Sequence, residues 1–273
     1  MDLWVGQRHI APGEPCYIIA EVGLAHDGSL AQAHAYIGAV STCGVDAVKF
    51  QNHAGDPTSE WRVRPDWCAD ESRQAYWDRT SFTPAQWQEL ARHCACAGVE
   101  FLCSVFSLEA FRVIDPLVRM HKVPSGRVDD VPLLYHIART GKPTLLSAGM
   151  ASEKELRKVK MFFPDFAWLQ CTSVYPCPPE QIGLSLVQQY GGLSDHSGTI
   201  WPGIAAAALG CQVLEIHVCF DRRLGLDGSA SLIMSELHSL VEGVRFVEAA
   251  MQPVSKQAMA LQLADTRRVF MHA

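Results

Sequence analysis

Short apolar segments alternate with segments of helical spacing along this chain, and that alternation limits the fold more than any other feature. Buried parallel strands read as nearly continuous apolar runs, and a helix usually connects each strand to its parallel neighbour. Eight strand-like runs follow one another: CYIIAEV, VDAVKF, VEFLCSV, VRMHKV, KPTLLSAG, FAWLQCT, GGLSD and CQVLEIHV. The pattern predicts an α/β protein with a parallel sheet.

The intervening segments carry helix start and stop signals. In SLAQAHAYIGAVSTCG, apolar residues recur at helical spacing between Ser29, a good N-cap, and Gly44, a good C-cap. In SFTPAQWQELARHCACAG, Thr83 is the predicted cap, Pro84 the first helical residue and Gly98 the end. Two further helices are predicted in SGTIWPGIAAAALG and SELHSLVEGVRFVEAAM.

Chain length favours a closed arrangement of the sheet. Eight strand–helix units in 273 residues, 48% of them hydrophobic, predict a single-domain (β/α)8 TIM barrel, a fold of roughly 250 residues. A doubly wound open sheet is the alternative. We expect residues 1–251 to form the barrel with a short N-terminal extension, and residues 252–273 to form a C-terminal tail. The insertion from Asn52 to Thr80 is expected to form a lid or rim loop.

Composition and charge argue against several classes of partner. The net charge of −6 does not suit nucleic acid, because phosphate binding requires a basic face. No apolar run is long enough to span a bilayer, and the N-terminus MDLWVGQRHIAPGEP does not have the pattern of a secretory signal. The ten cysteines form no CxxC motif, so we expect reduced thiols in a cytoplasmic protein.

Polar side chains stand at the carboxyl end of every predicted strand, which is where a barrel collects its chemistry. Any one of them could be a helix cap or a solvated side chain, but a polar group at all eight ends predicts one shared site. These residues are Glu21, Lys49, Gln51, Ser104, Lys122, Ser125, Ser147, Thr172, Ser173, Ser194, Asp195, His196, Glu215 and His217.

Two groups within this set suggest particular ligands. His196 and His217 are 21 residues apart on adjacent predicted strands, so their imidazoles could share a divalent cation such as Mn, Fe, Co or Zn. The alternative is a pair of satisfied core histidines. Lys49, Lys122 and a ring of serine hydroxyls are groups that bind an anionic, phosphorylated ligand. The sequence has no Walker loop and no GxGxxG motif, so a nucleotide is not indicated.

Longer motifs extend through nearly the whole chain: IIAEVGLAHDGSL, GVDAVKFQ, FLCSVFS, HKVPSG, GKPTLLSAGM, LQCTSVYPCP and GLSDHSGTIWPGIAAAALGCQVLEIHVCFDR. Together they resemble the sialic acid synthase family, whose members condense phosphoenolpyruvate with an N-acetylated amino sugar. The resemblance implies a (β/α)8 catalytic barrel, which agrees with the strand count.

The resemblance also implies roles for individual residues. His196 and His217 are expected to be catalytic metal ligands, for Mn in most members, with Mg or Co as alternatives. Glu21 is the expected proton-handling group, and a structural pair with Lys49 is the alternative. The positions that match the phosphoenolpyruvate site are Lys49, Ser104, Lys122, Ser125, Ser147, Ser173 and Ser194. The positions that contact the sugar or assist proton movement are Glu21, Gln51, Tyr175 and Asp227.

The sequence departs from the family pattern on the acceptor side. Arg127 stands where the family usually has Glu, Val105 replaces a Pro and Ala25 replaces an Asn. A guanidinium can bind a carboxylate or phosphate but cannot accept hydrogen bonds from sugar hydroxyls. We therefore expect Arg127 to bind substrate, and the acceptor to differ from N-acetylmannosamine, for example by an anionic group. The alternative is that Arg127 pairs with Asp129 or Asp130.

The expected function is condensation of phosphoenolpyruvate with an aldose acceptor to a 2-keto-3-deoxy sugar acid, by a homo-oligomer. The alternatives are a non-catalytic binding or regulatory barrel, or another metal-dependent aldolase or hydrolase on this scaffold. The histidine pair and the lysine–serine ring favour the synthase, and the two lysines argue against a hydrolase. The sequence ends at Ala273 and does not include the antifreeze-like domain that, in the family, supplies an arginine to the sugar. Arg127 is a candidate to replace that arginine.

Overall fold

Eight parallel strands close into a barrel in the computed structural model, which describes residues 2–57, 71–163, 165–223 and 225–271. Strands that are neighbours in the chain are neighbours in space, and the last strand pairs with the first. This closed order confirms the predicted (β/α)8 barrel and excludes the open, doubly wound sheet. Residues 58–70 of the predicted lid or rim loop lie outside the described residues.

A short antiparallel hairpin precedes the barrel. Its strands are β1 (Leu3–Val5) and β2 (Arg8–Ile10). The barrel strands are β3 (Tyr17–Gly23), β4 (Ala47–Asn52), β5 (Glu100–Val105), β6 (His121–Val123), β7 (Thr144–Ser147), β8 (Phe166–Cys171), β9 (Gly192–Asp195) and β10 (Val213–His217). Six of the eight lie within the predicted apolar runs, whereas β3 extends one residue and β4 two residues beyond theirs.

Helices alternate with the barrel strands. They are α1 (Leu30–Ser41), α2 (Arg73–Thr80), α3 (Pro84–Cys96), α4 (Leu108–Ile114), α5 (Val131–Ala138), α6 (Glu153–Val159), α7 (Val187–Tyr190), α8 (Trp201–Ala208), α9 (Met234–Ala250), α10 (Lys256–Gln262) and α11 (Ala264–Met271). Within the described ranges, none of them combines the length and the hydropathy that a membrane crossing requires.

The residues predicted as N-caps form capping hydrogen bonds at the helix starts. The Ser29 side chain accepts from a backbone N–H of the first turn of α1, and Thr83 forms a reciprocal capping box with Gln86 at the start of α3. Such caps typically contribute about 1 kcal/mol each. Gly44 and Gly98 follow the two helices with φ of +80° and +76°, a left-handed conformation that glycine adopts without strain.

The barrel interior changes from apolar to polar along its axis. Near the N-terminal end, inward side chains form a buried cluster to which Leu3, Val5 and Ile10 of the hairpin also belong. The hairpin therefore covers the lower end of the barrel, and each of these side chains contributes about 1.5–3 kcal/mol through burial. One layer higher, the inward side chains are Glu21, Lys49, Ser104, Lys122, Ser147, Cys171, Ser194 and Glu215, all of them buried.

Candidate active site

The register of the parallel strands places the polar side chains at one height. Glu21 on β3 lies beside Lys49 on β4 and beside His217 on β10, and Ser104 on β5 lies beside Lys122 on β6. Because side chains alternate between the two faces of a strand, residues in register share the inner face. The carboxyl ends of the strands thus form one polar floor.

A cavity of about 710 Å³ opens above this floor. The predicted site residues that line it are Lys49, Gln51, Ser104, Lys122, Ser125, Arg127, Ser147, Tyr175, Ser194, His196, His217 and Asp227. The other two predicted residues, Glu21 and Ser173, lie directly behind the cavity wall. Glu21 is fully buried against Lys49, and the hydroxyl of Ser173 lies 2.9 Å from that of Ser125. The volume is in the range of small-molecule sites.

Lys49 is held by two carboxylates. Its ammonium group forms an ion pair with Oε2 of Glu21, lies 3.4 Å from Oε2 of Glu215 and donates to Oγ of Ser104 at 2.8 Å. Burial alone would lower the pKa of Lys49, but Glu21 and Glu215 outweigh it and raise that pKa. The alternative to a catalytic role for Glu21 was a structural ion pair with Lys49, and this ion pair is present. Oε1 of Glu21 makes no hydrogen bond within the described residues.

Lys122 is less fully neutralised than Lys49. Its Nζ lies 3.2 Å from Oε1 of Glu215, and burial lowers its pKa in spite of that carboxylate. Oγ of Ser147, which is also buried at the cavity wall, has no hydrogen-bond partner in the described part of the chain. A buried cation and an unused hydroxyl are groups that an anionic ligand would satisfy.

His196 and His217 face the same cavity, with their ring centroids 5.2 Å apart. Nδ1 of His196 lies 3.1 Å from the carbonyl oxygen of Thr172, so it donates its hydrogen there and Nε2 keeps a lone pair. Burial and the neighbouring His217 lower the pKa of His196 to about 3, which keeps the imidazole neutral. Asp227 lies 3.6 Å from Nδ1 of His217.

These residues fit a divalent cation, because a metal binds the neutral form of imidazole and the nearby carboxylate can share its charge. Among the described residues, no group of three or more His, Cys, Asp or Glu side chains is arranged to hold a metal ion. The pair would therefore hold a cation that keeps open positions for substrate.

Gly23 allows three side chains of the predicted site to converge. It has a φ of +56°, and a Cβ added there would lie 3.3 Å from Oε1 of Glu21, 3.4 Å from the Gln51 carboxamide and 3.6 Å from Oδ2 of Asp227. Any side chain at this position would occupy the space between these groups. This side of the cavity therefore depends on glycine at position 23.

Arg127 lies at the cavity wall, and its pairing differs from the predicted alternative. Its guanidinium donates to Oδ1 of Asp56, which belongs to the loop after β4. The predicted alternative, in which Arg127 pairs with Asp129 or Asp130, is wrong. The carboxylate of Asp130 is used elsewhere, since it caps α5 by accepting from the backbone N–H of Leu133 at 3.1 Å.

Sequence reasoning missed several cavity residues. Glu215 ends a predicted strand and the sequence pattern indicates no ligand role for it, yet it contacts both lysines. His53, Asp56 and Trp77 also line the cavity, and all three lie in the insertion that the sequence predicts only as a lid or rim loop. The available signal was the position of His53 two residues after Gln51, directly beyond the end of β4.

Comparison with known proteins identifies the family. The sequence profile of the NeuB family matches residues 36–256. The chain belongs to the NeuB family. This NeuB-family chain is 35% identical to human N-acetylneuraminate-9-phosphate synthase over 97% of its own length and 78% of that protein. It is 31% identical to pseudaminic acid synthase of Campylobacter jejuni over 86% of this chain and 74% of that one.

A crystal structure supports the same assignment. The N-acetylneuraminic acid (sialic acid) synthetase of Leptospira borgpetersenii, solved with citrate, matches this chain with a TM-score of 0.84 and 25% identity. The match covers 98% of this chain and 96% of that one. The predicted resemblance is confirmed, and so is the prediction that this NeuB-family chain is an enzyme of the sialic acid synthase type.

Proposed function

We propose that this enzyme condenses phosphoenolpyruvate with an aldose acceptor and water to give a 2-keto-3-deoxy sugar acid and inorganic phosphate. The observation that carries the proposal is that one cavity holds both the buried Lys122–Ser147 donor group and the His196–His217 pair. The first suits an anion, and the second suits a cation next to it. The names of the relatives, which are synthases of sialic, pseudaminic and legionaminic acids, agree with this chemistry.

Phosphoenolpyruvate would lie deep in the cavity against Lys122. The lowered pKa of Lys122 reflects a burial cost that Glu215 does not fully offset, and a carboxylate or phosphate would offset the remainder. The hydroxyls of Ser147, Ser125 and Ser173 would donate to the anion, and charge-assisted bonds of this kind are about twice as strong as neutral ones. Lys49 and Ser104 would complete the wall on the other side.

The reaction forms one carbon–carbon bond and requires a group that accepts a proton from water. The methylene carbon of phosphoenolpyruvate attacks the aldehyde carbon of the open-chain sugar, and the aldehyde oxygen takes up one proton to become a hydroxyl. Water adds at C2 and loses one proton, and phosphate then leaves with the second proton as the C2–O bond breaks and the C2 carbonyl forms. Oε1 of Glu21 makes no hydrogen bond within the described residues and lies on the same side of Gly23 as Gln51 and Asp227, so it would take the first proton of that water and pass it to the new hydroxyl.

His196 and His217 would hold a divalent cation, with Mn favoured and Mg or Co as alternatives. When bound, such a cation supplies Lewis acidity at the aldehyde oxygen. The contact of His196 with the Thr172 carbonyl orients the ring, so Nε2 would be the atom available to the cation.

The acceptor would be an amino sugar that bears an anionic group. The human relative is named for a 9-phosphate product. Condensation adds three carbons before C1 of the acceptor, so that product corresponds to an acceptor with a 6-phosphate. Arg73 and Arg127 both line the acceptor side of this cavity, which is consistent with an anion there. On this basis, Arg127→Glu should lower the preference for N-acetylmannosamine 6-phosphate over N-acetylmannosamine.

Phosphate release is the direct test. The protein would be incubated with phosphoenolpyruvate, MnCl2 and either N-acetylmannosamine, its 6-phosphate or other aldoses, and both phosphate and the keto acid would be followed. We expect equal amounts of phosphate and keto acid, and faster release with the phosphorylated acceptor. Binding of phosphoenolpyruvate without turnover of any acceptor would instead favour the non-catalytic barrel.

A further inference from the structure

The loop that follows β10 leaves the barrel and returns to it at the same place. Leu232 forms a parallel bridge with Val218, and its N–H donates to the carbonyl of His217 at 2.8 Å. The N–H of Cys219 donates in turn to the carbonyl of Leu232 at 2.9 Å. The β10 loop, residues 219–231, therefore starts and ends directly beside His217.

The β10 loop carries Asp227 to the cavity. Oδ2 of Asp227 lies 3.6 Å from Nδ1 of His217, and the residue lines the cavity wall. The backbone carbonyl of Asp227 accepts from the N–H of Ala230 at 2.9 Å and from Oγ of Ser231 at 2.7 Å. Because Ser231 binds Asp227 directly, a contact that holds Ser231 also helps to hold Asp227.

The guanidinium of Arg222 binds the returning half of the β10 loop. Its Nε donates to the backbone carbonyl of Ser231 at 3.1 Å, and its Nη2 donates to Oε2 of Glu236 at 2.5 Å. The same carboxylate oxygen accepts from the backbone N–H of Ile233 at 2.9 Å. Glu236 lies in the first turn of α9, so these contacts connect the loop to a helix that packs on the barrel.

Arg222 also contacts the β9 loop, residues 196–200, which begins with His196. Its Nη2 donates to the backbone carbonyl of Gly198 at 3.1 Å. Gly198 has a φ of +69°, and a Cβ added there would lie 2.6 Å from the carbonyl oxygen of Ser229. The backbones of the two loops therefore touch at a position that requires glycine, and the guanidinium bridges them beside that contact.

We propose that Arg222 is a positioning residue that holds Asp227 in place relative to the histidine pair by bridging the β9 and β10 loops. A guanidinium suits this role because its N–H groups donate in several fixed directions within one plane. Lys122 on β6 and Ser147 on β7 belong to neither loop. The inference rests on the proposed function, which assigns a cation to the histidine pair and the acceptor sugar to the space beside Asp227.

Replacing Arg222 tests the bridge through the difference between the two substrates. Arg222→Met keeps the apolar stem but removes the donors, and we expect it to lower kcat/KM for N-acetylmannosamine 6-phosphate by about tenfold to hundredfold, the usual loss when a supporting hydrogen bond is removed. The Kd for phosphoenolpyruvate should change by less than about twofold, because Lys122 and Ser147 lie outside the bridge. Arg223→Met is the matched control, since the exposed side chain of Arg223 pairs with Asp221.

A second variant separates the bridge from the charge. Arg222→Lys keeps a positive charge near Glu236 but presents its donors from a single atom, so it cannot reach both loops in the same way. We expect it to restore only part of the acceptor kcat/KM that Arg222→Met loses. Full recovery to the wild-type value would show that the charge alone is sufficient, and the bridging role would be wrong.

Hydrogen exchange followed by mass spectrometry gives a readout that does not depend on turnover. We expect Arg222→Met to speed amide exchange by about tenfold in both the β9 loop and the β10 loop, while β6 and β7 keep their protection. Faster exchange in only one loop would overturn the proposal. So would unchanged acceptor kinetics, or a loss of phosphoenolpyruvate affinity as large as the loss for the acceptor. A wild-type protein without condensation activity would refute the proposed function, while the exchange pattern would still test the bridge.

Discussion

Lys122 and Glu215 come from strands on opposite sides of the barrel, and their side chains meet across its interior with Nζ 3.2 Å from Oε1. Glu215 also lies 3.4 Å from Lys49 and accepts from Ser194 at 2.8 Å. Burial would raise the pKa of Glu215, but the two lysines and the serine hold it well below its usual range. Two cations therefore share this one carboxylate, which leaves Lys122 with donor capacity for an anion.

Lys122→Ala should weaken phosphoenolpyruvate binding by roughly 1.5–3 kcal/mol, the scale of a hydrogen bond to a charged group. Isothermal titration calorimetry at neutral pH is the measurement. Lys142→Ala is the control, because Lys142 pairs with Asp115 outside the cavity. Equal affinity in the wild type and Lys122→Ala would show that the anion binds elsewhere.

His196→Ala combined with His217→Ala should remove the bound divalent cation, because imidazole nitrogens are the ligands that this site offers. Metal analysis after dialysis against Mn should fall from about one ion per chain to near zero. The double variant His34→Ala with His93→Ala removes another close histidine pair, with 2.8 Å between the two Nδ1 atoms. That control should retain its metal, and retention by the cavity variant would contradict the assignment.

Arg127→Met should lower the free energy of unfolding by about 3–5 kcal/mol, because it removes the guanidinium from a buried ion pair with Asp56. Urea denaturation is the measurement. Arg157→Met breaks the exposed pair with Glu153 and should cost less than about 1 kcal/mol. A similar cost at both positions would mean that the Arg127–Asp56 pair contributes little.

Gly23→Ala should impair acceptor binding as well as stability. The new methyl group would lie within 3.6 Å of Glu21, Gln51 and Asp227, and the residue would keep an unfavourable positive φ. Gly13→Ala separates the two effects, because Gly13 also has a positive φ but nothing lies within 4 Å of the added carbon. Both variants should lose about 1 kcal/mol or more of stability, and steady-state kinetics should show a raised acceptor KM only for Gly23→Ala.

His26 should make the fold sensitive to acid. Burial lowers the pKa of this histidine to about 4, against 6.5 in the unfolded chain. The unfolded state therefore binds more protons below pH 6.5, and stability is lost as the pH falls from there towards 4. Between pH 7.5 and pH 5, the free energy of unfolding should fall by about 2 kcal/mol more in the wild type than in His26→Asn.

The eight strands could be predicted because each is buried on both sides and therefore appears as an apolar run. Their ends could be predicted because the inner layer changes from apolar to polar at one height, as from Ile19 to Glu21 on β3 and from Val213 to Glu215 on β10. Helix caps such as Thr83 with Gln86 are local in sequence, so they were visible as well.

The contacts between distant charges could not be predicted. Arg127 has two acidic neighbours in sequence, yet it pairs with Asp56, because one neighbour caps a helix and the β4 loop reaches the same wall of the cavity. Spacing along a chain does not say which loops meet above a barrel. The role of Glu215 was missed for the same reason, since its lysine partners come from β4 and β6. The assignment of the individual site residues stays a prediction.

The N-terminal hairpin has a kinetic consequence. Because Leu3, Val5 and Ile10 close the lower end of the barrel, ligands reach the polar floor through the mouth at the strand carboxyl ends. Under the proposed function, the phosphorylated three-carbon substrate occupies the floor and the sugar lies above it. The two substrates should then bind in a compulsory order, with the sugar second, and sugar present in excess should slow exchange of the substrate beneath it.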